Sequence, residues 1–335
     1  MCGTGIPPAT HRLEARPTPL AENGSTTNGM TAALRSLQNE PFRRASFADG
    51  ESRDGLEAVR RRARGLRLDV SNATVVLQEL TVALPNLPDG LVGLRLGHVS
   101  DLHAGRWNPI LAAAQDLLLA ADLDLLLATG DFCTSSRRWR RGAEVVRRFF
   151  GPIAERTPVF GVLGNHDHRD LAGAPDLPLT LLRNESGRFR RDGAILRLAG
   201  VEQTEPYGGD VGAALSGVMD ASATVLLAHY PSTVFKLPPG LVDLQLSGHT
   251  HGGQIRLPWL GCLWTNDRIS RRMARGLHVV GGTVLYVSAG VGVSPPIPIR
   301  VNCPAEVAVL TLERAGAVSH LILRVARSAA LSGRA

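Results

Sequence analysis

Apolar positions from Leu68 onward fall into two alternating rhythms. Short runs rich in β-branched and aliphatic residues, bounded by Gly, Pro, Asn and Asp, predict strands over Thr74–Ala83, Leu94–Val99, Leu123–Ala128, Val159–Leu163, Ile195–Ala199, Thr224–Ala228, Val242–Leu246, Val284–Ser288, Val307–Leu312 and Leu321–Val325. Stretches of helical pattern predict helices near Asn108–Ala121, Arg137–Phe150 and Pro178–Arg183. Many strands and few helices after Ile195 favour an α/β fold built as a two-sheet mixed β-sandwich flanked by helices.

Ahead of this pattern, residues 1–66 are rich in Pro, Gly, Ser, Asn and Arg and too poor in large apolar residues to build a core. The expected organisation is a disordered basic leader over 1–66, one domain over 67–328 and a tail over 329–335. Within the leader, Leu56, Val59, Ala63 and Leu66 recur at helical steps among Arg60, Arg61, Arg62 and Arg64, a thin amphipathic helix over 54–66 suited to weak contact with a membrane surface. No run is long enough to cross a bilayer, and Met1–Leu20 lacks a secretion-type apolar core. Cytoplasmic residence, with peripheral contact at the membrane, is expected.

The formal charge of +7 divides unevenly: 11 Arg against 7 acidic residues in the first 67 positions leave only +3 for the remainder. No nucleic-acid groove is expected from so weak a basic excess. Cys2, Cys133, Cys262 and Cys303 show no C-x-x-C spacing, which disfavours a thiolate metal site or a disulfide framework.

Chemistry enters at the strand ends. Five apolar runs each lead directly into metal-competent side chains: Asp101 and His103, then Asp131, then Asn165, His166 and Asp167, then His229, then His249 and His251. Carboxyl ends of strands in an open α/β sheet meet at one crevice, so groups far apart in sequence are expected together. In extended backbone the two-residue spacings Asp101/His103 and His249/His251 would point both members of each pair the same way, so that each pair reaches one site. Gly130, Gly164 and Gly248 precede the clusters and allow close backbone approach. Imidazoles, carboxylates and one amide suit Zn, Mn or Fe ions, and more than four ligands implies two of them. Asp131, alone at its strand end, is the candidate to bridge. Such a pair would activate a bridging water as hydroxide for in-line attack at phosphorus.

The blocks Asp101-Leu102-His103, Gly130-Asp131, Gly164-Asn165-His166-Asp167, His229 and Gly248-His249-Thr250-His251 resemble, in type and order, the calcineurin-like metallophosphoesterase family. Leu244 to Ile255 and Pro298-Ile299-Arg300 are similar to its bacterial membrane-associated phosphodiesterase branch. The resemblance implies that Asp101, His103, Asp131 and His251 hold one ion, and that Asp131, Asn165, His229 and His249 hold the other. It implies that Asn165 and His166 touch the substrate phosphate, that His166 stabilises transition-state charge or protonates the leaving oxygen, and that Asp167 orients His166. The implied substrate is a small-molecule or lipid-linked phosphate ester, diester or monoester.

Two other readings compete. Amidohydrolases also use His-x-His and Asp at strand ends, but in the opposite order; a scaffold that has lost its metals would not need every ligand position. Singly, other residues have plain explanations. His98 and His168 fit packing or support better than ligation, Cys133 fits an inert thiol, and Trp107 fits packing. The run Arg268, Arg271, Arg272 and Arg275 fits either a solvated helix face or the rim of a phosphate site.

Overall fold

The structure is a computed structural model that describes residues 74–85, 87–203, 209–216, 223–294 and 298–316, with the backbone of 324–332. The expected leader, the 54–66 helix and Cys2 lie outside the described residues.

In chain order the elements are β1 Thr74–Leu84, β2 Arg95–Val99, α1 Pro109–Ala120, β3 Leu125–Ala128, α2 Trp139–Ala154, β4 Val159–Gly161, β5 Thr180–Leu181, β6 Glu185–Arg191, β7 Ala194–Val201, α3 Val211–Leu215, β8 Ala223–Ala228, β9 Leu244–Ser247, β10 Arg256–Leu257, β11 Gly261–Cys262, β12 Gly276–Val280, β13 Thr283–Val287, β14 Ala305–Arg314 and β15 Arg324–Ser332. One sheet has the order β15-β1-β14-β2-β3-β4-β5 and the other β12-β13-β9-β8-β7-β6. β2, β3, β4 and β5 are mutually parallel, as are β7, β8, β9 and β13; β14 runs parallel to β1 and antiparallel to β2, and β15, β12 and β6 run antiparallel to their neighbours. This is the mixed two-sheet sandwich that the pattern predicts.

β3 shows why central strands read as unbroken apolar runs. Leu125 and Leu127 enter the layer between the sheets with Leu196, Leu198, Val225, Leu227 and Leu246. Leu126 and Ala128 face the opposite way, into the layer with Leu111, Ala114 and Leu118 of α1 and Val146, Phe149 and Phe150 of α2. A strand covered on both faces has no polar face to show. Each such buried leucine contributes roughly 1.5–3 kcal/mol. The second sheet is covered by α3, whose Ala214 and Leu215 pack with Ala199, Val201, Leu226 and Ala228. α1 starts where its sequence says: Asn108 Oδ1 accepts from the amides of Ile110 and Leu111, each at 3.0 Å, and Pro109 occupies the first turn.

Differences from the expected elements have local causes. Pro178–Arg183 is not a helix: Thr180 and Leu181 form an edge strand whose register on β4 is Phe160↔Thr180 and Gly161↔Leu181. Three leucines beside Pro178 satisfy helical and strand patterns alike, and the free edge of β4 decides between them. β6, Glu185–Arg191, escapes the apolar pattern because four of its seven residues are charged, as suits an edge strand. Its turn was legible, since Asp192 and Gly193 have φ of 46° and 76°, the geometry of an Asp-Gly hairpin. Gly281 and Gly282 join β12 to β13 in the same way, at 58° and 89°. Of the expected strand Leu321–Val325, the first three residues lie outside the described residues, and β15 starts at Arg324.

His98 sits between the layers, fully buried, with Nε2 2.9 Å from Thr129 Oγ1 and its ring edge-on to Tyr286. Burial lowers its pKa from 6.5 to about 3. The unfolded chain therefore takes up a proton that the folded chain refuses, and stability falls as pH drops from about 6.5 toward 3, by up to roughly 3–5 kcal/mol. In a Tm–pH series, His98→Gln should flatten this acid limb; an unchanged slope would assign it to other groups.

Candidate metal centre

The carboxyl ends of β2, β3 and β4 in one sheet and of β8 and β9 in the other meet along a single edge of the sandwich, tied by the His249 amide, which donates to both carboxylate oxygens of Asp101 at 3.1 Å. The backbone there is not extended. Asp101, His103, Asp131, His249 and His251 all lie in the left-handed region, with φ of 55°, 43°, 53°, 68° and 51°. The extended-backbone argument for paired side chains is thereby corrected: alternate left-handed residues, tolerated best by Asn, Asp and His, turn the chain back on itself. The consequence also differs. Asp101 and His103 do share a site, but His249 and His251 part company.

Two buried groups result, Asp101 with His103 and His251, and Asp131 with His229 and His249. In the first, the Nε2 atoms of His103 and His251 stand 3.0 Å apart, and Asp101 Oδ1 is 3.3 Å from His251 Nε2 and 3.9 Å from His103 Nε2. In the second, His229 Nε2 lies 3.2 Å from Asp131 Oδ2 and 3.1 Å from Asn165 Oδ1. Asp131 Oδ2 is also 3.5 Å from His103 Nε2, so one carboxylate faces both groups. Its other oxygen accepts the amide of His166 at 2.8 Å.

Hydrogen bonds on the far side of the rings set which nitrogen faces inward. The Thr129 carbonyl, 2.7 Å from His229 Nδ1, can only accept, so Nδ1 carries the proton and the Nε2 lone pair points at two further acceptor oxygens. The Asn266 carbonyl, 3.2 Å from His249 Nε2, likewise leaves the Nδ1 lone pair of His249 free. Acceptors converging on one buried point call for a cation.

The titration of the site agrees. Burial opposes charge on His229, yet the Asp131 carboxylate overrides it and raises the pKa to about 9, so a proton is held where positive charge is missing. Burial likewise opposes ionisation of Asp131, and His229 and His103 hold its carboxyl well below the usual range. Burial lowers His103 and His249 to about 4 and His251 well below its ordinary value, which keeps these rings neutral and able to ligate. Asp101 is raised to about 6, by burial first and then by Asp131, against the pull of His229.

Glycines supply the space. Built on Gly164, a Cβ would lie 2.3 Å from Asp131 Oδ1 and 2.9 Å from His229 Nδ1. Gly130 needs its φ of 89° as well.

His166 is half-buried, its ring edge-on to His103 with centroids 4.9 Å apart, at the mouth of the first group. Asp167 does not orient it. The buried Asp167 carboxylate accepts the amides of Cys133 at 2.9 Å and Gly164 at 3.0 Å, clamping the loop after β3 to the loop after β4. The expectation overlooked that a carboxylate three residues past a glycine can close its own turn. His98 and His168 stand outside both groups; His168 caps the turn at Asp170 and stacks on Trp139. Cys133 is buried, its thiol pushed far up by burial, and Trp107 packs on Phe149 under Arg148. Arg271 and Arg272 form a short 3-10 turn rather than a helix face, and Arg275 is paired with Glu306 at 2.6 Å.

Arg300 is the functional residue whose role the sequence does not reveal. Fully buried, its guanidinium donates to the carbonyls of Ala289 at 2.8 Å, Gly290 at 3.0 Å and Cys303 at 3.3 Å, and to that of Gly292, and the carboxylates of Asp101 and Glu306 act on it electrostatically. The loop it gathers is bonded in turn to the ligand strand, Val291 N to Ser100 O at 3.0 Å and Gly292 N to Asp101 O at 2.6 Å. Arg300→Met should leave these carbonyls unsatisfied and cost about 3 kcal/mol or more, with loss of metal affinity exceeding that of a surface control. Arg300→Lys, lacking the planar fork, should rescue little of either. Denaturant unfolding and metal titration measure the two effects.

One carboxylate facing two buried histidine groups, on the carboxyl edge of a two-sheet sandwich, is the layout of a metal-dependent phosphoesterase. Residues 94–253 match the family model described as calcineurin-like phosphoesterase. It is 28% identical to the metallophosphoesterase YkuE of Bacillus subtilis over 70% of this chain and 84% of that one. It is 28% identical to the phosphodiesterase YaeI of Escherichia coli over 67% of this chain and 84% of that one. Among solved structures, a 5'-nucleotidase precursor from Thermus thermophilus aligns at 15% identity and a TM-score of 0.39, over 59% of this chain and about half, 48%, of that one. No helix among the described residues is long and apolar enough to cross a membrane.

Proposed function

We propose that this chain hydrolyses phosphate esters, phosphodiesters foremost, at two divalent cations. Asp101, His103, Asp131 and His251 would hold one, and Asp131, Asn165, His229 and His249 the other. The observation that carries this reading is the position of Asp131 Oδ2, 3.2 Å from His229 and 3.5 Å from His103. When bound, such a pair supplies a water of lowered pKa and positive charge for the phosphoryl oxygens.

The chain's own residues do the rest. Asp131 would offset the charge of both cations, and its second oxygen accepts the amide of His166. Asn165 and His166, both half-buried, would meet the phosphate, and His166 would protonate the leaving oxygen. Asp167 keeps the loops after β3 and β4 in register. The donor set of nitrogen and carboxylate oxygen suits Mn, Zn or Fe ions. The preference for diesters rests on the name of YaeI alone. The substrate would be a small-molecule or lipid-linked phosphate ester.

The test is an apo preparation reloaded with Mn²⁺, Zn²⁺ or Fe²⁺ and assayed on aryl diesters, aryl monoesters and cyclic nucleotides. Two metal equivalents per chain and metal-restored turnover of a diester are expected. Two equivalents without turnover of any ester would defeat the hydrolase reading, and no bound metal at all would favour a scaffold.

A further inference from the structure

The hairpin that follows His251 holds its largest apolar side chains out in water. β10 and β11 are joined by Pro258, Trp259 and Leu260. Trp259 is 101% exposed, Leu260 47%, and Trp264, just past β11, 66%. Six large apolar side chains are exposed among the described residues, and these three fall within six consecutive positions. Single exposed apolar residues are ordinary on any surface; a cluster is not. Trp259 also has φ of 64°, a conformation unfavourable for a bulky residue, and no burial within the chain compensates for it.

Positive charge surrounds this tip. Between Arg256 and Arg275 the chain has five arginines and a single acid, Asp267. Asp267 is occupied with its own turn, accepting the amides of Ser232 at 3.3 Å and Ile269 at 3.2 Å. Arg275 is neutralised by Glu306, whereas Arg268, Arg271 and Arg272 are exposed. The turn Arg271–Met273 packs on β11, and both Arg256 and Arg271 act electrostatically on the Cys262 thiol, so the basic groups and the hairpin share one surface.

We propose that this hairpin is a docking surface for an anionic lipid bilayer. Trp259, Leu260 and Trp264 enter the boundary between headgroups and acyl chains, where an indole satisfies an apolar body and a polar N–H together. Arg268, Arg271 and Arg272 pair with lipid phosphates. An apolar tip projecting from a basic surround suits a fluid, anionic layer, which needs no matching cavity. The surface is separate from the 54–66 segment. It is also rooted at the metal centre: Asn266 O is 3.2 Å from His249 Nε2, and Thr250 Oγ1 donates to Ala274 O at 2.7 Å. Docking therefore brings a bilayer to the side of the site formed by His249 and His251, whether or not that site is hydrolytic.

The full chain is tested by co-sedimentation with phosphatidylcholine vesicles, neutral or containing phosphatidylglycerol. Binding to the anionic vesicles should be at least about tenfold stronger than to the neutral ones. Trp259→Ser/Trp264→Ser and Arg268→Glu/Arg271→Glu/Arg272→Glu should each weaken it by about tenfold or more. Brominated acyl chains should quench tryptophan emission, and the conservative Trp259→Phe/Trp264→Phe should abolish that quenching. Binding that is absent, or unchanged in both charge and tryptophan variants, overturns the proposal. So does self-association in sedimentation velocity that both variants abolish, which would give the tip a protein partner instead. Turnover of a soluble aryl phosphodiester is read in parallel: the hairpin variants should keep it, and its absence from the wild type would sink the hydrolase reading while leaving the vesicle result to stand.

Discussion

Asp131→Asn is expected to lower kcat/KM on an aryl diester by about three orders of magnitude or more, equivalent to about 4 kcal/mol of transition-state stabilisation. The substitution keeps the side chain's shape and removes its charge. Asp131 is 1% exposed, and its Oδ2 faces His229 and His103 at 3.2 and 3.5 Å. An amide there either offers an oxygen without charge or turns an N–H₂ toward lone pairs. The same change removes the largest of the influences that raise His229 to about 9, leaving Asp101 and the Thr129 carbonyl against burial, so the His229 pKa should fall. Metal stoichiometry by mass spectrometry, steady-state kinetics and titration of His229 by NMR read these effects separately. Two retained metal equivalents with wild-type turnover would refute the shared-carboxylate reading.

Gly248→Ala should damage the site as severely without altering any ligand. A Cβ at Gly248 would lie 1.9 Å from Ser100 Oγ and 2.2 Å from Asp101 Oδ2. Contacts that short cannot exist, so either Asp101 or the turn after β9 must withdraw, and the bonds from the His249 amide to Asp101 are lost. The expected cost is about 3 kcal/mol, a fall in Tm of roughly 5–10 °C, with loss of the first metal equivalent. Gly151→Ala is the control: it lies in α2 with nothing within 4 Å of the added carbon, and should be neutral or stabilising by up to about 1 kcal/mol. Equal Tm shifts in the two variants would mean that steric closure at Gly248 is not the cause.

Much of the protein was legible without coordinates because the two signals involved are local. A strand buried on both faces must be apolar throughout, as in Leu125–Ala128, and a helix must cap its first amides, as at Asn108. The polar clusters at strand ends stood out against those runs, so Asp101, His103, Asp131, Asn165, His166, His229, His249 and His251 could be named as candidates before any contact was known. β6 was hidden because an exposed edge permits charge in place of an apolar face, leaving only its Asp-Gly turn as a signal.

How the candidates divide was implied by the family resemblance but not by residue spacing, and the tertiary structure supplies the physical reason. Neighbouring His249 and His251 serve different groups because left-handed backbone, invisible in residue spacing, turns them apart. Asp167 was taken by two amides, and Arg300 was found to brace the loop behind Asp101, because each partner is either a backbone atom or lies on another strand. A sequence states which groups are present and how far along the chain they lie. Which lone pairs face the same point depends on dihedral angles and on packing between two sheets, and those are set only when the whole core closes.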